Sequence, residues 1–313
     1  MPQASRSTGP DPDEPTEVSG CRRAGADPEA SGADAATGSY VLGTHAEELE
    51  RLRFQHDLWR PAAEAAWRRA GLAPGQRVLD LGAGPGFAAL DLAAWVGPQG
   101  RVLALERSPV YVAAGQELAR RQGLAQLEIR RHDLLSDPLP MGPDDRPEAG
   151  FDLAWMRWVA MFLPDPLPLL DQLAGAIRPG GRLVVQEYKH WDTFGLHPHG
   201  DAIGRFGQAV QHSFRSAGGD PDVNRRLPSL LAARGWRIDA LVPVPVLGGQ
   251  GTLAARWMER FVRVYAAQLI QQGLWSRADG VLVEAEIAAA AEDPGSYWVG
   301  PTVLELQATR WAA

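Results

Sequence analysis

The 313-residue sequence contains a single cysteine, Cys21. An intrachain disulfide needs a second thiol and a thiolate metal cluster needs more, so both are excluded. Long apolar runs are missing too. Nothing approaches the roughly 18 uninterrupted apolar residues of a membrane-spanning helix. The N-terminus has no apolar signal core, so a cytoplasmic protein without a membrane partner is expected. Positive charge is in deficit: 31 Lys and Arg against 38 Asp and Glu leave −7. That balance argues against a broad phosphate-neutralising surface and against nucleic acid as a partner. Residues 1–38 have almost no large apolar side chains and are rich in Pro, Gly, Ala, Ser and Asp. Such a segment cannot bury enough surface to offset its ordering entropy, and a disordered tail is expected there. Cys21 lies within it.

What is present begins near Tyr40. The overall 45% hydrophobic content supports a real core. Thr44 followed by Glu47 is a capping-box pattern, and Leu49, Leu52, His56 and Trp59 follow at helical spacing. Pro61 suits the first turn of a second helix, Ala62 to Ala70, ended by Gly71 and Pro74-Gly75. Residues 39–75 thus read as a helical cover from which Tyr40 and His45 could reach a ligand or simply pack. From Gln76 strands and helices alternate: Arg77–Leu81, Phe87–Val96, Val102–Glu106, Val110–Gln122, Leu127–His132, Asp152–Met156, Pro166–Ile177, a turn at Arg178-Pro179-Gly180-Gly181, and Arg182–Gln186. This is the α/β pattern of a doubly wound parallel sheet with helices on both faces, its core over residues 76–189. After Glu187 the alternation stops. Residues 190–235 read as a lid insertion, with Ile203, Phe206, Val210 and Phe214 on one helical stripe and a helix from Asp220-Pro221 through Arg234. Residues 236–313 hold strands Trp236–Val246 and Val303–Thr309 and an inserted helix marked by Trp257, Phe261, Tyr265 and Leu269.

The chain is organised around Val78-Leu79-Asp80-Leu81-Gly82-Ala83-Gly84-Pro85-Gly86. A short apolar strand runs into three glycines at alternate positions and then into a helix. Glycine permits the tight turn and a close ligand approach, and amides at the start of the next helix point at whatever sits there. In an open parallel sheet, ligands bind at the carboxyl ends of the strands. Glu106 stands at the second strand end and could accept two hydrogen bonds from vicinal ribose hydroxyls. Asp133 follows the third and could accept from an adenine amino group. Arg157 and Trp158 follow the fourth; Glu187, Tyr188 and His190 follow the fifth. These residues describe an adenosine site. A dinucleotide fingerprint wants G-x-G-x-x-G with a small third residue, whereas here the spacing is G-x-G-x-G and Phe87 follows. Asp80 would be repelled by a pyrophosphate and attracted by an ammonium group. The donor therefore reads as S-adenosylmethionine rather than NAD.

These segments, VLDLGAGPG, VLALE, HDL, FDLAWMRWVAMFL and IRPGGRLVVQEY, taken in order, resemble class I S-adenosylmethionine-dependent methyltransferases, and within them the small-molecule enzymes of bacterial metabolism. The resemblance covers Tyr40 to Glu187. It implies a Rossmann-like, mostly parallel seven-stranded sheet with an antiparallel last strand and a variable lid, with S-adenosyl-L-homocysteine as product. It implies that Asp80, Gly82, Ala83 (where cysteine is frequent) and Gly84 lie against the methionine part. Glu106 would then hold the ribose, Arg107 would flank the adenine, and Asp133 and Leu134 would meet its edge. Arg157 would lie near the sulfonium. An Asn-Pro-Pro-Tyr motif, paired arginine-binding glutamates and a catechol-type metal set are all missing, which disfavours base, arginine and metal-dependent catechol substrates.

The expected chemistry is methyl transfer to an O, N, S or C nucleophile of a small molecule, a secondary metabolite. Tyr188 and His190 are the candidate bases. Glu187, Trp158, Trp191, Phe206 and Tyr265 are candidates for contact with the acceptor, Glu187 by orienting a polar group, and no metal is expected. A monomer or homodimer is expected. A non-catalytic S-adenosylmethionine-binding protein remains an open alternative. A nicotinamide-dependent oxidoreductase is disfavoured by Phe87 and Asp80.

Overall fold

The structure, a computed structural model, describes residues 46–142 and 150–311. The 1–38 segment, Cys21, Tyr40 and His45 lie outside the described residues. A single helix, α1 (Ala46–Arg69), stands where two were expected, with Pro61 inside it. Proline removes one backbone hydrogen bond and crowds the preceding turn. Trp59, Ala63, Ala66, Trp67 and Ala70 form one buried stripe that runs through the proline position. Burying that stripe offsets the lost bond. Two sheet side chains pin the helix further: Gln186 Nε2 donates to the Ala62 carbonyl at 3.3 Å and Gln307 Nε2 to the Ala66 carbonyl at 3.1 Å.

The elements that follow are β1 (Arg77–Leu81), α2 (Phe87–Val96), β2 (Arg101–Glu106), α3 (Pro109–Arg121), β3 (Leu127–Arg131), β4 (Phe151–Arg157), α4 (Leu167–Ala176) and β5 (Ile177–His190). Next come β6 (Gly195–His197), α5 (Asp201–Ser216), α6 (Leu227–Ala232), β7 (Trp236–Val244), β8 (Leu247–Gly249), α7 (Leu253–Gln271), α8 (Arg277–Glu292), β9 (Tyr297–Val299) and β10 (Thr302–Arg310). The main sheet has seven strands in the order β3-β2-β1-β4-β5-β10-β7. β3, β2, β1, β4 and β5 pair in parallel, and β10 is antiparallel to both neighbours. The chain winds outward from β1 to β3 and then returns to β4. The switch point, where such sheets hold ligands, therefore lies between the carboxyl ends of β1 and β4.

Two further local expectations are corrected. The Arg178-Pro179-Gly180-Gly181 turn lies inside β5 as an irregularity: between Phe151 and Leu153 the partner advances from Ile177 to Arg182. The helix expected from Asp220 to Arg234 is a single 3-10 turn, Val223–Arg225, followed by α6. Side chains break it, because Asp222 accepts from the Trp191 amide and Asn224 donates to the carbonyls of Glu187 and Leu304. The insertions also contain a second sheet, in the order β6-β9-β8, and helix α8. Three-residue strands carry too little alternation to register as strands. On α8 only Val283, Ile287 and Ala290 are buried while Val281 and Leu282 are exposed, so its stripe is thin.

Trp67 anchors α1 to the sheet. It is fully buried and meets Trp155 edge-on at 5.4 Å and Trp95 at 6.1 Å. Trp67→Ala is expected to lose about 3–5 kcal/mol of unfolding free energy in urea titration.

Candidate functional site

The glycine turn after β1 is a set of backbone requirements. Gly82 has φ +65°, and a Cβ there would lie 2.5 Å from Val159 Cγ2. Both observations demand glycine. Gly84 has φ +56° with open space above it. The turn is tied to β2 by two bonds: the Ala83 amide donates to the Leu105 carbonyl at 2.9 Å, and the Gly84 amide to Glu106 Oε2 at 2.8 Å. Glu106 Oε1 accepts from the Ser108 amide at 2.8 Å, and Ser108 caps α3. One carboxylate thus clamps the glycine turn to the start of the next helix. Burial raises its pKa, and the amide bonds partly counter this.

Asp80, Gly82, Ala83, Gly84, Glu106, Arg107 and Arg157 are brought to adjoining strand ends. Asp133 and Leu134 follow β3, half-buried; Asp133 Oδ1 accepts from the Leu135 amide at 3.0 Å. Asp80 is buried, with Oδ2 unpartnered. Desolvation pushes its carboxyl up to about 8, with Arg157 opposing and Glu106 adding to the rise. At the neighbouring strand end, burial pushes the Arg157 guanidinium down to about 10, against the pull of Asp80, Asp91 and Tyr188. Its Nη1 is buried and unpartnered. An unfilled acceptor and an unfilled donor, each within the other's field, complement a group that carries both an ammonium and a carboxylate. An α-amino acid group is such a zwitterion, and a pyrophosphate is not.

Two side chains outside the expected site, His56 and Asp91, hold Arg157 in place. Its Nη2 lies 3.1 Å from His56 Nδ1, and His56 Nε2 lies 2.9 Å from Asp91 Oδ2. The guanidinium also sits 5.0 Å above Trp158 and 5.7 Å from Trp155. His56 falls on the expected stripe of α1, and helical spacing alone gives it no partner on α2 or β4. Trp158 is the one non-glycine residue with positive φ among the described residues, at 53°. Its amide bonds the Gln186 carbonyl at 3.1 Å and its ring stacks on Tyr188 at 5.7 Å. Strain of this kind persists only where the surroundings over-determine it, and it concentrates at functional sites.

Glu187 is fully buried beneath this turn. Its Oε1 accepts from the amides of Val159 at 2.5 Å and Ala160 at 2.7 Å, which fixes the loop after β4. Burial pushes its carboxyl up to about 8. Tyr188 is buried between Trp158 and Trp191, and burial raises its phenol well above the usual range. His190 is half-exposed with Nε2 3.5 Å from Asp192 Oδ2. Phe206 on α5 and Tyr265 on α7 are buried among the inserted helices. Phe206 lies against Phe194, Phe261 and Trp275, and the Tyr265 hydroxyl pairs with Ser213 at 2.7 Å. Among the described residues no cluster of His, Cys, Asp and Glu is suited to a metal ion, and no helix is long and apolar enough to cross a membrane.

Comparison with known proteins agrees with this geometry. A methyltransferase-domain family profile matches residues 72–216. A trans-aconitate 2-methyltransferase of Methylobacterium radiotolerans is 32% identical over 193 residues, covering 61% of this chain and 65% of that one. A demethylmenaquinone methyltransferase of Lactococcus lactis is 29% identical over 136 residues, covering 44% and 50%. The chain spans about half the length of the first curated relatives it matches. In fold, it is similar to the geranyl diphosphate C-methyltransferase of Streptomyces coelicolor, at a TM-score of 0.50 and 16% identity over 90% of each chain; that structure holds S-adenosyl-L-homocysteine. The sheet order, the glycine turn and the family match agree in giving residues 72–216 the character of a methyltransferase domain with a Rossmann-like fold.

Proposed function

We propose that this protein is a cytoplasmic enzyme that transfers a methyl group from S-adenosylmethionine to an O, N, S or C nucleophile of a small molecule of secondary metabolism. The observation that carries the reading is the pair of unfilled buried atoms, Asp80 Oδ2 and Arg157 Nη1, at the switch point of the sheet. Asp80 would receive the ammonium of the donor's methionine end and Arg157 its carboxylate. Glu106 would hold the ribose with the lone pairs its two amide bonds leave over. Asp133 and Leu134 would meet the adenine. Bound there, S-adenosylmethionine supplies a methyl group already activated by its sulfonium.

The chain's own residues then position the acceptor and exclude water. Trp158 is the aromatic residue best suited to meet the acceptor: half-buried, turned by its backbone, and in contact with both Arg157 and Tyr188. Burial keeps the Tyr188 hydroxyl protonated, which suits a hydrogen-bond donor to the acceptor rather than a base. His190, steadied by Asp192, is the group available to take a proton when the nucleophile carries one. Trp191 backs Tyr188, while Phe206 and Tyr265 hold the inserted helices together and Glu187 holds the loop. The names of the relatives, which act on a quinone precursor and on trans-aconitate, support a small-molecule acceptor. The geranyl diphosphate enzyme adds likeness of fold alone.

Asp80 sets a pH dependence. In the free protein its carboxyl titrates at about 8, whereas an ammonium ligand stabilises the carboxylate, so binding expels a proton. S-adenosylhomocysteine affinity, measured by calorimetry, should rise from pH 6 to 7.5 by up to about tenfold per unit. Asp80→Asn should bind more weakly with a flatter profile; a flat wild-type profile contradicts the assignment. NAD should give no heat in the same cell, and binding of NAD without S-adenosylhomocysteine would sink the methyltransferase reading.

A further inference from the structure

His56 is engaged at both ring nitrogens. A guanidinium can only donate, so at 3.1 Å from Arg157 Nη2 the imidazole Nδ1 is the acceptor. The ring proton therefore sits on Nε2, 2.9 Å from the Asp91 carboxylate. One tautomer of the neutral ring satisfies both partners. The three side chains come from α1, α2 and the end of β4, so the chain of bonds also ties the cover helix to the sheet edge.

We infer that His56 is a positioning residue: it accepts from Arg157 Nη2 and thereby keeps Nη1 directed at the carboxylate of the ligand's amino-acid end, with Asp91 fixing the tautomer. The identity of that ligand rests on the function proposed above; the hydrogen-bond chain does not. Without His56 the guanidinium keeps its aromatic neighbours, Trp155 and Trp158, and loses the one side-chain hydrogen bond it makes among the described residues. A ligand would then have to order the side chain as it bound.

Protonation breaks the arrangement. A second proton would go on Nδ1, facing the guanidinium, so a hydrogen bond becomes a contact between two cations. Burial and then Arg157 lower the His56 pKa, while Asp91 and Asp57 raise it. The charged groups around the ring are, on α1, Asp57, Arg53 (over the Phe87 ring) and Arg60, which lies 3.0 Å from the same Asp91 oxygen. Asp91 faces it from α2 and Arg157 from β4; Asp80 on β1 and Tyr188 on β5 act on it through Arg157. Phe87 packs 5.9 Å from the imidazole and adds no charge.

Two measurements test the inference. In the ligand-free protein, long-range 1H–15N NMR of labelled histidine should find His56 as the Nε2–H tautomer with a pKa below 6.5. The opposite tautomer or an unshifted pKa overturns the relay. Calorimetry with S-adenosylhomocysteine should find His56→Leu about tenfold weaker at pH 7.5, the size of one charge-assisted hydrogen bond. His56→Gln, whose amide oxygen can accept from Arg157, should stay within about threefold. As pH falls through the His56 pKa read by NMR, wild-type affinity should drop relative to His56→Gln, which has nothing to titrate there. The shared effect of Asp80 cancels in that ratio. Parallel pH profiles, or His56→Leu binding as tightly as wild type, overturn the positioning role. If the wild type binds no S-adenosylhomocysteine at pH 7.5, the cofactor reading fails and the ligand role of His56 with it, while the NMR result still decides the relay.

Discussion

A guanidinium buried at the end of β4 has to be matched, because desolvating a charge without partners is among the largest penalties a fold can carry. Arg157 is matched in three ways: by the field of Asp80 and Asp91, by the Nδ1 lone pair of His56, and by the faces of Trp155 and Trp158. Each compensating group arrives on a different element. β1, α1, α2 and β4 must all be in place for the charge to be tolerated, so α1 belongs to the same buried network as the sheet edge. The compensation is also incomplete: one donor on Arg157 and one acceptor on Asp80 are left over. Both lie at adjoining strand ends, at the switch point of the parallel sheet.

The same economy of backbone groups runs through the rest of the site. Glu106 holds the glycine turn against the start of α3 with its two oxygens, and Glu187 holds the loop after β4 through the amides of Val159 and Ala160. Val159 in turn closes over Gly82, where a Cβ would have no room. Two buried carboxylates thus shape the two loops that flank the switch point. The aromatic interior of the insertions starts where Trp158 and Tyr188 stack and continues through Trp191 to Phe261 and Tyr265. Through Phe194 it also reaches Trp298 on the second sheet.

The parallel core was legible because its strands are apolar, its turns are marked by glycine, and an acid ends β2 and follows β3. The antiparallel last strand came from the family resemblance and matches β10. Elsewhere the local signals misled. Pro61 reads as a helix start, but the buried stripe from Trp59 to Ala70 carries the helix through it. The small β6-β9-β8 sheet and α8 have short or faint patterns, and their existence depends on long-range partners. The Asp91–His56–Arg157 chain joins residues 35 and 101 positions apart, and no periodicity reports such a contact. Glu187 was readable as a polar residue at a strand end, but not as the holder of the next loop, since that role depends on amides delivered by β4.

We propose that the unfilled Asp80–Arg157 pair recognises an α-amino acid group on an adenosine ligand. The most direct measurement is the ratio of affinities for S-adenosylhomocysteine and for 5′-methylthioadenosine, which lacks that group, in the wild type and in Asp80→Asn. The wild type should prefer S-adenosylhomocysteine by at least about tenfold, the size of a charge-assisted bond, and Asp80→Asn should lose most of the preference. Equal affinities for the two ligands in the wild type would contradict it.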